Sequence, residues 1–345
     1  MALAQPSQVK VGKRHRLVML DDCRAAAISL VVGFHILFLA YGRITVTRNA
    51  LAILTDSGTM MFVILAGFML QWHSAHFVFR DFLWQKVKNV FCPYAVATFL
   101  LIFLRGLRDG EALSWRLLLK WAKALLNGGA GAHLWFIPML AIFFFLAPVF
   151  LEVNRRRWLL PAILTLILPF VLGRGRYFEI WKNTLFFLPF FLLGMAMAVH
   201  FNTIQARLRQ SWLWSLGLAF CVSMALVFFP EPEWLQTIGR MVFCFMILAL
   251  AARFSESLHQ TRIGLALNGL SAYSYGIYLY HNSLIGLVFV PCYRRWLSGF
   301  GEGWQILALV FMTALCLTIS ALALKFGRAV LRALGVRSTR IIIGC

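Results

Sequence analysis

The sequence predicts an all-α, polytopic integral membrane protein with about ten transmembrane helices. Hydrophobic residues make up 61% of the 345 residues and charged residues only 13%, too few to cover the surface of a water-soluble domain. The mean hydropathy of +0.80 points the same way. Apolar runs near the length of a membrane span recur along the whole chain. They are continuous rather than alternating, which favours helices over a β-barrel.

Ten apolar runs define the predicted helices. The first follows a basic stretch and is long enough to span, so we expect a retained signal anchor rather than a cleaved peptide. The fifth is short and contains two prolines, Pro161 and Pro169. The runs cover residues 25–42, 50–72, 89–105, 134–151, 158–172, 184–201, 212–229, 235–252, 265–290 and 304–324.

The distribution of basic residues predicts the orientation of the chain. With the amino terminus in the cytoplasm, 20 of the 33 Lys and Arg fall in inner segments and 13 in outer segments. This bias follows the positive-inside rule and places both termini in the cytoplasm. The predicted domains are a basic cytoplasmic tail at 1–16, a membrane domain at 17–327 and a second basic cytoplasmic tail at 328–345.

The net charge of +21 would suggest a nucleic-acid partner in a soluble protein. Here the basic residues fall almost wholly between apolar runs, where they face lipid headgroups, so we expect the lipid bilayer as a partner and no nucleic acid. Among them, Arg116, Lys120 and Lys123 share one helix face within an apolar context. This spacing predicts an amphipathic helix in the outer interface, with the border of a substrate groove as the alternative.

Arg24 and His35 are the most informative pair in the first span. They are eleven residues apart, which in a helix places both side chains on one face, about 16 Å from each other. A cation at the mouth of a membrane helix and an imidazole deeper along the same face predict a site for one elongated anionic ligand. The alternatives are an arginine that reaches lipid phosphates and a histidine bonded to a neighbouring helix.

Two further groups of polar side chains lie near predicted spans. Ser274, Tyr278 and His281 share a helix face in the ninth span, which predicts a polar pocket; an interfacial aromatic belt is the alternative. His133 and Trp135 begin the fourth span in the segment HLWF, where we expect an interfacial position and an acceptor-binding role.

Lys86 and Lys88 precede the third span and are expected at the cytoplasmic surface. They are candidates for phosphate contacts, although lysines that flank a span often have no more specific role. His73 and His76 have i, i+3 spacing without a third ligand nearby, so no metal site is predicted.

The order of these motifs resembles the membrane-bound acyltransferase-3 family over about residues 17–324. The opening Leu20-Asp21-Asp22-Cys23-Arg24 followed by His35 is similar to that family's entry motif and Arg-x(10)-His spacing. Ala66 and Asn89 depart from the family pattern, which usually has Ser and a second basic residue there. The other similar segments are MMFVILAGFML (60–70), KNVFCPY (88–94), HLWFIPML (133–140), LPFFLLGM (188–195) and SYGIYLYH (274–281).

The resemblance implies an enzyme of the cell inner (cytoplasmic) membrane that moves an acyl group, most simply acetyl, from cytoplasmic acyl-CoA to an envelope glycan or lipid-linked sugar. Acetyl-CoA would be a donor substrate, with no permanently bound cofactor. Arg24, Lys86 and Lys88 would hold its phosphates. A neutral His35 would act as general base.

The remaining site residues receive roles in the same scheme. His281 would be a second catalytic residue, and His133, Trp135 and Tyr278 would bind the acceptor. A transporter or flippase for a lipid-linked sugar is the rival function, although the chain shows no pair of matching halves. A structural membrane subunit is the third class considered.

Overall fold

The computed structural model describes residues 17–40, 46–110, 115–155, 165–176 and 179–345, and every regular element within these ranges is helical. The all-α prediction is therefore confirmed there. Short π-helical turns continue three helices, at Val87–Phe91, Ile285–Phe289 and Tyr293–Leu297. The α-helices are α1 Val18–Leu37, α2 Arg48–Trp72, α3 Phe79–Lys86, α4 Cys92–Arg108, α5 Trp115–Asn127, α6 Phe136–Phe145, α7 Ala147–Arg155, α8 Leu168–Leu172, α9 Ile180–Val199, α10 Phe201–Gln210, α11 Trp212–Phe228, α12 Glu233–Leu258, α13 Arg262–Leu284, α14 Val290–Cys292, α15 Glu302–Ala333 and α16 Arg340–Ile343.

Five helices in the described part of the chain are long and apolar enough to cross a membrane. Two bent pairs raise the number to seven if each pair is one span: α6 with α7, bent by 54°, and α10 with α11, bent by 68°. Part of the fifth predicted run, 158–164, lies outside the described residues. The count of ten and the orientation stay predictions. The five are α2, α3 joined to α4, α9, α12 and α15.

Helix α1 is the centre of the bundle and packs against α2, α12, α13 and α15. It begins at Val18, seven residues before the predicted apolar run, and so includes charged residues. These charges are accommodated because Asp21 accepts hydrogen bonds from Arg24, at 3.3 Å, and from the Ser271 hydroxyl, at 3.0 Å. Asp21 and Arg24 therefore form a local ion pair on α1.

Helices α2 and α9 form the most extensive contact in the bundle, and two glycines permit it. A Cβ atom on Gly67 would lie 1.9 Å from the Phe191 carbonyl oxygen, and one on Gly194 would lie 1.9 Å from the Ile64 carbonyl oxygen. Small residues at such crossings let membrane helices approach backbone to backbone. This contact fixes α2, which contributes Asp56 to the site described below.

The periphery of the bundle exposes many large apolar side chains. On α11 and α15 they include Trp214, Phe220, Phe311 and Phe326, each at least 66% exposed. Only 28% of the most apolar window of α15 is buried inside the protein. A surface of this composition needs an apolar solvent, in agreement with a membrane protein.

The basic segments at 115–127 and 328–345 both pack on the bundle. The predicted amphipathic helix is α5, held to α4 by hydrogen bonds from the Tyr94 hydroxyl to Ala124 O and Leu125 O, both 3.1 Å long. The segment predicted as the second tail continues α15 to Ala333 and then returns, so that α16 packs against α4 and the Val87–Phe91 turn.

Candidate active site

Three histidines from separate parts of the chain meet beside α1. His35 lies near the end of α1, His133 precedes α6 and His281 lies in the last turn of α13. The ring centroids are 5.1 Å apart for His35 and His281, 5.9 Å for His35 and His133, and 4.9 Å for His133 and His281. The structure thus brings together all three histidines that the sequence analysis selected.

A tight turn holds His133 in this cluster. Gly128 has a φ of 69°, and a Cβ atom there would lie 2.3 Å from the Trp135 backbone nitrogen. Only glycine combines that dihedral with so close an approach. The turn folds the HLWF segment inward, so His133 is 4% exposed. Its predicted interfacial depth stays a prediction.

Hydrogen bonds to backbone carbonyls define which nitrogen of two imidazoles carries the proton. His281 Nδ1 lies 3.0 Å from Ile277 O and 2.9 Å from Tyr278 O. Because a carbonyl only accepts, Nδ1 is the donor and Nε2 of the neutral ring keeps a lone pair. By the same reasoning His133 Nε2 donates to Leu279 O at 3.3 Å, and Nδ1 keeps the lone pair.

These two nitrogens are buried and have no hydrogen-bond partner within the described part of the protein. A buried acceptor without a partner costs free energy, so a retained one is a sign of function. Both imidazoles can therefore accept a hydrogen bond or a proton.

A cavity of about 30 Å³ adjoins the cluster. His35 and His133 line it, whereas His281 is not part of its lining and lies behind them. Its other walls are aromatic and charged. The lining residues that carry the following argument are His35, His133, Tyr278, Asp56, Arg174 and Trp135.

One wall of the cavity is an ion cluster that the sequence analysis did not select. Asp56 of α2, 4% exposed, binds Arg240 of α12 through Oδ2 and Nε at 2.7 Å and also binds Arg174 through the same oxygen. Two guanidiniums on one carboxylate give the cluster a formal charge of +1. Arg174 lines the cavity together with Asp56, so its guanidinium is a positive group beside the space near His35.

A sequence signal for this cluster was present. Asp56 falls inside the second apolar run and Arg240 inside the eighth, and opposite charges in two spans are expected to pair because each is costly in hydrocarbon. Arg174 gave no such signal, because it lies in a loop.

Trp135 and Tyr278 line the cavity but make different contacts. The Trp135 ring stacks on Phe187, with centroids 6.0 Å apart. The Arg174 guanidinium lies over the Trp135 ring, 5.7 Å from its centroid. Trp135 therefore supports Arg174 through a cation–π contact. The Tyr278 hydroxyl donates to His133 O. That hydroxyl is thus engaged in holding the His133 turn.

Arg24 and His35 both face α13, along which α1 runs. Arg24 lines a larger cavity of about 620 Å³ together with Ser271 and Ser274, and His35 contacts His281 further along the same helix. Ser274 belongs to the larger cavity and Tyr278 to the smaller one, so the two cavities are one helical turn apart along α13. The assignment of both residues to one helix face agrees with this arrangement.

Lys86 and Lys88 do not line the cavity that contains Arg24. Lys86 Nζ lies over the rings of Phe82 and Phe144, at 5.0 and 4.7 Å from their centroids, and Lys88 Nζ lies 4.8 Å from the Trp84 ring centroid. The phosphate-binding role of both lysines stays a prediction.

Within the ranges that the structure describes, no group of three His, Cys, Asp or Glu side chains is arranged to hold a metal ion. Comparison with curated proteins and with solved structures found no match. A family model described as an acyltransferase domain matches residues 19–325, close to the 17–324 over which the motifs resemble the acyltransferase-3 family. The chain therefore belongs to the acyltransferase-3 family of acyl-transferring enzymes.

Proposed function

We propose that this acyltransferase transfers an acetyl group from cytoplasmic acyl-CoA to a hydroxyl of an extracytoplasmic envelope glycan or lipid-linked sugar, within the inner membrane. The observation that carries the proposal is the cluster of three histidines beside a cavity. One of them, His35, lies on the same helix as Arg24. A donor bound near Arg24 and an acceptor from the opposite side can meet at His35, so neither substrate has to cross the membrane.

In the proposed reaction His35 is the general base. Its unprotonated nitrogen accepts the proton of the sugar hydroxyl while the hydroxyl oxygen attacks the thioester carbonyl carbon. The C–O bond forms, the C–S bond breaks, and the CoA thiolate leaves and takes the proton back from the imidazolium. Base catalysis of this kind contributes about 10²–10⁴ in rate. A relay through an acyl-histidine would use the same groups in two steps.

The other residues receive supporting roles. Arg174, held by Asp56 and Trp135, supplies positive charge beside the cavity, where the carbonyl oxygen becomes negative during attack. His281 lies behind His35, so we assign it the positioning of that ring rather than direct contact with substrate. We assign acceptor binding to His133 and Trp135, because both line the cavity.

Transfer by purified protein in lipid nanodiscs tests the proposal. Incubation with [¹⁴C]acetyl-CoA and envelope-glycan extract should give labelled, alkali-labile glycan ester, or labelled acetate by hydrolysis when no acceptor is present. We expect His35→Ala to lower the transfer rate by about 10²–10⁴ at normal expression. His200→Ala, at an exposed position after α9, is the matched control and should retain the full rate.

Two results would overturn the proposal. Full transfer activity in His35→Ala would exclude His35 as the base. Movement of a lipid-linked sugar across proteoliposomes without any loss of the acetyl group from acetyl-CoA would favour the transporter.

A further inference from the structure

The larger cavity beside Arg24 has an unusual lining. Its five basic side chains are all arginines and its one acidic side chain is Asp21, so their formal charge is +4. Serine and threonine residues supply most of the other polar groups of the wall. The arginines are Arg24, Arg328, Arg332, Arg337 and Arg340.

Four of these arginines come from the end of α15 and the segment that follows it. They lie beyond the residues matched by the family model, which end at 325. Arg328 and Arg332 lie one turn apart on α15, whereas Arg337 and Arg340 lie on the returning segment. The cavity is therefore completed by a part of the chain that the family domain does not include.

The returning segment is held in place by its own contacts. Thr339, 5% exposed, donates its hydroxyl to Cys345 O at 3.0 Å. Gly276 allows the segment to approach α13, since a Cβ atom there would lie 2.9 Å from Ile343 O. Gly344, with a φ of 79°, turns the chain against Tyr275. Arg337 and Arg340 are thus presented by a folded element.

The lining carries more positive charge than its own acidic group balances. Guanidiniums gathered in one cavity repel each other, and an anion between them removes this repulsion. The Arg328 Nε atom is buried and has no hydrogen-bond partner among the described residues, which leaves a donor for such an anion. Arginine binds phosphate oxygens in pairs through its planar fork.

The size of the cavity indicates what kind of anion it accepts. A volume of about 620 Å³ lies within the range of small-molecule sites and exceeds what one inorganic phosphate needs. The hydroxyls of Ser271, Ser274 and Thr339 already donate hydrogen bonds within the protein and keep acceptor lone pairs, which suit the ribose hydroxyl groups of a nucleotide.

We propose that this cavity binds the phosphorylated nucleotide end of the acyl donor, and that Arg328, Arg332, Arg337 and Arg340 supply phosphate contacts together with Arg24. The proposal rests on the proposed function for the identity of the nucleotide. It makes the arginines of α15 and of the returning segment, rather than Lys86 and Lys88, the principal phosphate ligands.

Calorimetric titration with 3′,5′-ADP, the nucleotide part of CoA, tests the site without any turnover. The protein is held in zwitterionic phosphatidylcholine nanodiscs. We expect R332Q combined with R337Q to raise the Kd for 3′,5′-ADP by at least about tenfold, because charge-assisted hydrogen bonds are lost. R207Q combined with R209Q removes two exposed arginines of α10 and should change the Kd less than about twofold.

A second measurement guards against a folding defect. Both Arg332 and Arg337 are exposed, and their removal relieves repulsion, so the double variant should unfold at the same temperature as the parent or higher when no ligand is present. R332K combined with R337K keeps the charge and should restore part of the affinity.

Three outcomes would overturn the inference. The first is an unchanged Kd in the double glutamine variant. The second is saturable, arginine-dependent binding of vesicles rich in phosphatidylglycerol without binding of 3′,5′-ADP, which would assign the cavity to a lipid headgroup. The third is an unchanged KM for acetyl-CoA in a double variant that still transfers acetyl, which would leave the proposed function intact. Arginine-dependent binding of 3′,5′-ADP by a protein without acetyl transfer would instead support this site and contradict the function.

Discussion

In the candidate site, hydrogen bonds to backbone carbonyls determine which imidazole nitrogen of His133 and of His281 can act as a base. Leu279 O accepts from His133, and Ile277 O and Tyr278 O accept from His281, so one nitrogen of each ring is left as a base. All of these acceptors lie on the last turns of α13. The same helix therefore carries one histidine and sets the tautomers of two.

Removal of the Tyr278 hydroxyl tests whether its hydrogen bond holds the His133 turn in place. Tyr278→Phe removes the hydrogen bond to His133 O but keeps the ring. Since one hydrogen bond is worth about 0.5–1.5 kcal/mol, we expect kcat to fall about 2- to 10-fold while expression is unchanged. Tyr273→Phe, which removes a hydroxyl from the same helix, is the control. Equal activity of the two variants would show that the His133 turn does not depend on this bond.

Asp56 combines structural and functional importance in one side chain. Asp56→Asn leaves the Arg240 guanidinium buried without its countercharge, which costs about 3–5 kcal/mol in comparable buried pairs. We expect a clear fall in the thermal unfolding temperature in detergent. Asp109→Asn, at an exposed position, should leave that temperature unchanged.

A paired substitution separates charge from packing. Asp56→Leu combined with Arg240→Met removes both charges of the pair and should recover part of the lost stability, because apolar replacements of buried pairs are often tolerated. Activity should stay low, since Arg174 then loses the carboxylate that orients it. Recovery of full activity would contradict the role given to Arg174.

At the scale of the helices, the crossing of α2 and α9 determines where Asp56 lies. Gly194→Ala would place a methyl group against the Ile64 carbonyl, so the helices must separate. We expect a destabilisation of about 1–3 kcal/mol, measured as a lower unfolding temperature. Gly217→Ala lies on α11, where a Cβ atom meets nothing within 4 Å, and should be neutral or slightly stabilising. A neutral Gly194→Ala would mean that this crossing is not close-packed.

The sequence predicts where several helices lie but not where each one begins. The apolar runs of α2, α9 and α12 correspond to observed helices because hydropathy and helical length are local properties. The start of α1 at Val18 differs from the predicted start at residue 25, because the charged residues between them do not belong to an apolar run. They are tolerated because Asp21 finds partners on α1 itself and, 250 residues away, in Ser271.

At the scale of the whole molecule, the two cavities lie at different depths along α1, and their sides of the bilayer follow from the predicted orientation. The cavity at Arg24 is on the side predicted to be cytoplasmic, and the smaller cavity lies further along α1. The donor and acceptor sides of the proposed reaction depend on this orientation.

Reporter fusions check that orientation. Green fluorescent protein fused after residue 345 should fluoresce, because it matures in the cytoplasm, whereas alkaline phosphatase at the same position should be inactive. Alkaline phosphatase inserted at Glu231, between α11 and α12, should be active outside. The reverse pattern would contradict the positive-inside prediction and would place the arginine cavity on the outer side.

Composition and periodicity are sufficient to predict the membrane class, the helical architecture and a common helix face for Arg24 and His35. Composition and the 3.6-residue period are properties of short segments, and they do not depend on distant contacts. The folded bundle is needed to show that His133 and His281 surround His35, that Asp56 binds Arg240 across 184 residues, and that the last arginines line one cavity with Arg24. These contacts depend on how close-packed helices cross. The crossing geometry depends in turn on many contacts distributed over the whole bundle.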